Sequence, residues 1–539
     1  MSKLFIRLLQ ARGLTPSFLK TNYNDLLDPF MLPDMDSAID RLIKAIQGKE
    51  RVIIYGDYDA DGVTAATLME QSLLLAGLPR DRIEIMLPNR FTDGYGMSSK
   101  LVKHARESNT NLVITVDCGS RNHDIIEKLN EQKIDTVVTD HHELGSTLPD
   151  AKAVVNPKRL DWNYSSATSL RELAGVGVAF KVAQALVKTG KIKRGQEKWL
   201  LDLVLIGTIC DAMLLTGENR ILTSYGMIVL EKTRRKGLKE LMRLARVSNL
   251  NSESIGFQIG PRLNAAGRLE DATLSLNLLR TNSSTEAARL AAKLEELNKR
   301  RKTEQITAVK EITERGVPDN NPVIVEVGNW HEGVLGIIAG RLVEEYQRPA
   351  FVLAETEKGI LKGSGRSFGD FNLAAALQSV SDTTLGGGGH AAAAGVRLHS
   401  ADLDAFRSGL NSYYSSLGLK DQTHYLKPTP DLAVSDFDDF TLDFMDELKT
   451  LEPFGAGNEE PIFRLTDVEL ANVQRMGADG QHLRLDLRDK SGKYLKLVAF
   501  FAPDAWLSLE PGHLISPLIK LAENDYNGVK SVEGRICDL

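Results

Sequence analysis

The sequence predicts a multidomain α/β protein: a first domain on a parallel sheet, a long helix leading to a smaller α/β domain, and a C-terminal β-barrel of OB type. Three observations carry this. Short β-branched runs alternate with helix-like stretches over residues 50–157, a second alternation starts after "VPDNNP", and the last hundred residues alternate apolar and polar between Gly, Asp and Asn turns.

The first alternation consists of "RVIIY", "NLVITV", "IDTVVT" and "KAVVN" with helical stretches between them. Residues 170–315 read as mostly helical and end in "STEAARLAAKLEELNKRRKTEQITAVKEITERG", a connecting helix that stops at Gly316. The second alternation runs through "PVIVEV", "PAFVLA", "GILKGSGRS" and "GGGGHAAAAGVRL", and five strands from "VELANVQRM" to "VKSVEGRICDL" form the barrel. The expected boundaries are a lead segment at 1–49, the first α/β domain with its helical part at 50–280, the connecting helix at 281–316, the second α/β domain at 317–420 and the barrel at 421–539.

With 539 residues, 42% hydrophobic and 26% charged, the chain is too long for one core. Its net charge of −6 provides no whole-protein basic field, so a nucleic-acid partner must be met by a local groove. Cys118, Cys210 and Cys537 lack paired spacing, which argues against disulfides and thiolate zinc sites and fits a reducing cytoplasm. The N-terminal "MSKLFIRLLQARGL" is interrupted by Arg7 and Arg12, and no apolar run reaches about 18 residues, so neither export nor membrane insertion is expected.

The chemistry concentrates at the ends of the strands. "YGDYDADG" places Asp57, Asp59 and Asp61 at alternate positions, and "VDCGS" with Asp117, "VTDHHE" with Asp140, His141 and His142, and "GTICDAM" with Asp211 follow at expected strand ends. Crowded carboxylates need a cation. Carboxylates with imidazoles and no thiolate suit two Mn²⁺ or Mg²⁺ ions, the set used to activate water and clamp a phosphoester. A lone Asp at a strand end is ordinarily a cap, so the weight lies in the combination.

These motifs resemble those of the DHH phosphoesterases, and "GGGGHAAAAG" resembles the glycine-rich motif of their accessory DHHA1 domain. Together with "GPRLNAAGRLEDA", "LKGSGRS" and "LEPFGAGNEEPIF", the order is similar to that of the single-strand-specific exonucleases of this family, from about residue 10 to the end. The resemblance implies metal ligands at Asp59, Asp61, Asp117, His141, His142 and Asp211. Asp57 is left as either a ligand or an orienter of metal-bound water, and Asp140 as the group fixing an imidazole tautomer. It further implies substrate contacts from Arg90 in "LPNRFTDGYGMS", from Arg262, Asn264 and Arg268 around "LNAAG", from Ser364 and Arg366 in "GSGRS", and from Gly388, Gly389 and His390, where four glycines alone would read as a linker.

The implied activity is 5′-to-3′ hydrolysis of single-stranded DNA to 5′-mononucleotides in recombinational and mismatch repair. The implied partners are single-stranded DNA with a 5′ end, a single-strand-binding protein and a RecQ-type helicase, with no membrane. Two other readings stay open: a phosphodiesterase of short oligonucleotides or cyclic dinucleotides, and a non-catalytic DNA-binding replication scaffold. Trp330 and His331 suit either base stacking or packing, Arg341 and Arg348 read as helix-surface charges, and Arg475, Arg484, Arg488 and Tyr494 offer a strand-binding face on the barrel.

Overall fold

Strands Val52–Tyr55 (β1), Leu112–Val116 (β3) and Ala153–Val155 (β5) are buried at every position, as strands covered on both faces must be. With Ile83–Met86 (β2) and Asp135–Thr139 (β4) they form a wholly parallel sheet in the order β2-β1-β3-β4-β5. Strand β2 was not expected from the sequence, because only Ile83 of "IEIM" is fully buried and the run is short. The chain passes to opposite sides of β1 on reaching β2 and β3, so a crevice opens at the carboxyl ends of β1 and β3, where ligands bind in open parallel sheets.

The structure is a computed structural model that describes residues 1–93, 96–162, 164, 169–419, 422, 425, 427–477 and 480–539. Gly94 and Tyr95 of the Arg90 motif and the expected boundary at 420–421 lie outside these. The described residues divide into two units, Leu26–Gln422 and Met1–Asp25 with Thr423–Leu539.

In the larger unit the helix Ser284–Arg315 leads from the helical part of the first domain to the second sheet. Over 32 residues it spans about 48 Å at 1.5 Å per residue. Ser283 caps its start, accepting from the Glu286 amide, and Gly316 ends it at φ 83°. The second sheet comprises Ile324–Gly328 (β6), Ala350–Glu357 (β7), Ile360–Arg366 (β8), Gly386–Gly389 (β9) and Ala393–His399 (β10), ordered β6-β7-β8-β10-β9. It is mixed, with β6 and β7 parallel and the remaining pairs antiparallel. The four glycines are its edge strand.

In the smaller unit the eight strands Leu432–Val434 (β11), Phe463–Leu465 (β12), Val468–Met476 (β13), His482–Arg488 (β14), Tyr494–Ala499 (β15), Leu514–Ile515 (β16), Leu518–Tyr526 (β17) and Val529–Asp538 (β18) make one curled sheet. This corrects the count of five. "LISPLIKLAE" is two strands broken before Pro517, and β11 and β12 were too short to carry an alternation. Helix Lys3–Ala11 adds Leu4, Phe5, Leu8 and Leu9 to this core, and Arg12 pairs with Asp431 at 2.7 Å, so the first residues of the lead segment belong with the barrel. No described helix is long and apolar enough to cross a membrane.

Candidate active site

Asp57 follows β1, Asp117 follows β3, and Asp140, His141 and His142 follow β4, three strands adjacent in the sheet. Asp59 caps the helix Ala60–Leu75, its Oδ1 accepting from the Gly62 amide at 3.0 Å. Asp61 then sits in the first turn, where the free amides of another helix reach it: Gly175 and Val176, opening Gly175–Lys188, donate to its two oxygens at 2.7 and 2.9 Å. A Cβ on Gly175 would lie 2.5 Å from the Cβ of Asp117, so only glycine lets that helix approach. The "AGVG" before an apolar helical run was the available signal, and sequence reasoning missed it.

Asp211 differs from expectation in its support. It ends the helix Leu201–Cys210 rather than a strand, since the apolar run "LDLVLIGTIC" is long enough for a helix and is buried at nearly every position. Asp117 has φ 60°, a left-handed backbone that a non-glycine residue rarely holds and that clusters at functional sites.

The donor atoms converge. His141 Nε2 lies 3.0 Å from Asp117 Oδ1, 3.5 Å from Asp211 Oδ2 and 3.8 Å from Asp61 Oδ2. Three overlapping sets, Asp117–His141–His142, Asp61–His141–Asp211 and Asp57–Asp59–Asp117, each keep their ligand atoms within 4.8 Å of one another. Asp117 Oδ1 and His141 Nε2 are buried and, despite their contact, have no hydrogen-bond partner among the described residues. Two acceptors facing one point are what a cation would satisfy.

The electrostatics agree. Burial and then Asp59 push Asp57 up to about 8 and Asp211 up to about 7. Burial together with neighbouring carboxylates raises Asp61 and Asp117 well above the usual range. Burial and then His142 depress His141 to about 3, leaving the neutral imidazole that ligation requires. Burial would raise Asp140, but its hydrogen bond from His142 wins and holds it ionised, and in return His142 is raised to about 9. Asp140 accepts from the amides of Ser120, His141 and His142 and from His142 Nδ1 at 2.9 Å, and so fixes that ring.

Arginines gather beside the carboxylates, with Arg90 acting on Asp57 and Asp59 on Arg268. Arg90 stands over the Tyr58 ring at 5.3 Å, and the half-buried Arg268 is depressed to about 10 by burial and then by Arg90, Arg301 and Arg366. Arg366 is lowered by burial and Arg90, and its Nη1 donates to Ser364 Oγ at 3.3 Å and to the Gly365 carbonyl at 2.8 Å. Ser364 and Arg366 share a face of β8. The guanidiniums of Arg90, Arg268 and Arg366 repel one another, and such a group forms a place for an anion. His390, in the turn after β9, is lowered by burial and then by Arg121 and His142.

Two of the expected substrate contacts also have protein partners. Arg262 is held by Glu295 on the long helix at 2.6 Å and by the Gln258 carbonyl at 2.6 Å. Asn264 Oδ1 accepts from the Ala60 amide at 2.8 Å, so it braces the carboxylate loop. Trp330 packs, with Nε1 donating to Glu311 at 3.0 Å, and His331 meets Phe91 edge-on at 5.2 Å. On the barrel, Arg488 pairs with Glu469 at 2.6 Å.

Family models match three stretches: the DHH family N-terminal domain over residues 51–208, the DHHA1 domain over 320–416 and the RecJ OB domain over 432–538. The chain is 36% identical over 550 residues to the single-stranded-DNA-specific exonuclease RecJ of Bacillus subtilis strain 168, covering 100% of this chain and 68% of that one. The chain belongs to the RecJ family. RecJ of Escherichia coli K12 is 33% identical over 98% of this chain and 94% of its own. The crystal structure of RecJ with Mn²⁺ from Thermus thermophilus superposes with a TM-score of 0.83 at 29% identity, over 99% of this chain and 75% of that one. The same protein with Mg²⁺ gives 0.79 at 27% identity, over 99% of this chain and 74% of that one.

Proposed function

We propose that this chain is a metal-dependent exonuclease of single-stranded DNA that works from the 5′ end and releases 5′-mononucleotides. The observation that carries the reading is the convergence of Asp117 Oδ1 and His141 Nε2, 3.0 Å apart and buried without a hydrogen bond, within a ring of raised carboxylates. Asp57, Asp59, Asp61, Asp117, His141, His142 and Asp211 would hold two divalent ions, Mn²⁺ or Mg²⁺. Bound there, such ions supply Lewis acidity for water and for the charge growing at phosphorus.

The chain's own residues do the rest. Asp140 keeps His142 oriented, and the amides of Gly175 and Val176 keep Asp61 in place. Arg90, Arg268 and Arg366, with Ser364, would grip the terminal 5′-phosphate, and His390 would close the site from the far side. Water attacks phosphorus, the bond to the 3′ oxygen breaks, and the phosphate remains on the shortened strand. Each turnover therefore regenerates the 5′-phosphate that the arginines recognise. A repair role with a single-strand-binding protein and a RecQ-type helicase, in the cytoplasm, completes the proposal.

The test offers purified protein a single strand labelled at the 5′ or the 3′ end, and the matching duplex, in EDTA, Mg²⁺ and Mn²⁺. Early release of labelled mononucleotide from the 5′-labelled single strand, with none in EDTA, is expected. Early release from the 3′ label, or equal attack on the duplex, contradicts the assignment.

A further inference from the structure

Outside the site a concentration of positive charge lies at residues 188–199 and 231–246, which carry twelve basic and three acidic side chains in a chain of net charge −6. The two segments meet at an exposed pair. The guanidinium of Arg234 lies over the ring of Trp199, 3.7 Å from its centroid, and Trp199 keeps 39% of its surface exposed. Of the three acidic groups, Glu197 is buried and accepts from the Gly195 amide at 2.6 Å, Glu240 pairs with Arg243, and Glu231 is exposed at the start of the second segment. Nearby Asp202 is buried against Thr233 and Arg235. Lys193, Arg194, Lys232, Lys236 and Lys239 are exposed, and none makes an ion pair among the described residues.

We propose that this patch is a second binding surface for single-stranded DNA, separate from the cleavage site; the inference rests on the exonuclease reading. Trp199 immediately precedes the helix Leu201–Cys210, whose other end carries Asp211, so the patch stands about 15 Å from the metal-ligand cluster along that helix. It therefore takes nucleotides remote from the cleaved bond. Unpaired cations suit a phosphate backbone, and an exposed indole held by an arginine suits an unpaired base, which a duplex does not offer. A protein partner fits less well, because Trp199 is the one large apolar side chain exposed in these two segments, whereas a protein interface needs an apolar core.

The test compares wild type with Arg234→Glu/Lys236→Glu and, independently, Lys193→Glu/Arg194→Glu, all sites being exposed. Binding of long oligothymidylate is measured in EDTA over a salt series, and hydrolysis of an oligonucleotide of about four to six residues is measured in Mn²⁺. Each variant is expected to bind the long strand roughly tenfold more weakly, with the salt slope lower by about 1.4 for two lost phosphate contacts. Short-substrate hydrolysis should stay at the wild-type rate. Unchanged affinity and slope overturn the inference while leaving the exonuclease reading intact. The same loss toward duplex DNA, or loss toward polyglutamate with DNA binding unchanged, overturns the choice of single strands. Failure of wild type to hydrolyse any strand sinks the exonuclease reading, and the binding arm still decides the patch.

Discussion

Gly333 lies directly against the backbone of Arg268: a Cβ at position 333 would come 1.7 Å from the Arg268 carbonyl oxygen. Arg268 lies in the last turn of the helix Gly260–Leu269 that carries Asn264, and Gly333 precedes the helix Leu335–Tyr346 of the second α/β domain. The contact sets the spacing between the helix that carries Arg268 and the second α/β domain, whose strand β8 carries Arg366. Gly333→Val is expected to raise KM for single-stranded DNA at least tenfold and to lower stability by about 1–3 kcal/mol, the usual cost of overpacking. Steady-state kinetics with thermal melting checks this; an unchanged KM would show that the contact does not position the substrate.

Asn264 braces the first turn of the carboxylate helix through the Ala60 amide. Asn264→Ala should cost about 1 kcal/mol, as other lost caps do, and Asn264→Asp should restore most of it. Denaturant midpoints at constant m-value would show the loss and its rescue.

The metal-free protein should lose stability as pH rises from about 6.5 to 8. Asp57 and Asp211 keep their protons to about 8 and about 7 when folded, against about 4 when unfolded, so over this range the folded chain binds more protons and stability falls with pH. His142, raised to about 9, gives up its contribution in the same range. His141, depressed to about 3, acts oppositely, but only below about pH 6.5. Melting temperatures in EDTA should therefore drop between pH 6.5 and 8, and Mn²⁺ should reduce or reverse the drop because it binds the deprotonated carboxylates. Parallel profiles with and without Mn²⁺ would contradict the ligand assignment.

Arg366 presents a fork held by Ser364 and the Gly365 carbonyl. Arg366→Lys keeps the charge and loses the fork, so it should retain less than about a tenth of the wild-type kcat/KM on 5′-phosphorylated strands. The deficit should shrink on strands with a 5′-hydroxyl, where the fork has no terminal phosphate to grip. Equal deficits on both substrates would place Arg366 elsewhere in the path.

Much of this was legible before the fold was seen, for definite reasons. Asp57, Asp117 and the Asp140–His142 run each follow a short β-branched strand, and a parallel sheet gathers such ends at one edge whatever their separation in sequence. What escaped were properties of partners. Arg262 and Asn264 are expected at the substrate by resemblance, but the sequence does not show that Glu295 and the Ala60 amide engage them, because neither partner is near in sequence. Gly175 carried only the weak signal of "AGVG" before an apolar run, because its role is to leave room for Asp117, distant in sequence. Strand β2 and the pieces β11, β12 and β16 carry too few residues to establish an alternation.

The central claim is that one cluster around Asp117 and His141 performs metal-dependent cleavage from the 5′ end. Its most direct test is the rate of mononucleotide release from a 5′-labelled single strand by wild type and by Asp117→Ala, each with Mn²⁺, alongside strand binding in EDTA. The account predicts a rate for Asp117→Ala at least about a thousandfold lower, since removing a group at a reacting centre commonly costs that much, with binding retained. Release at the wild-type rate by Asp117→Ala would contradict it.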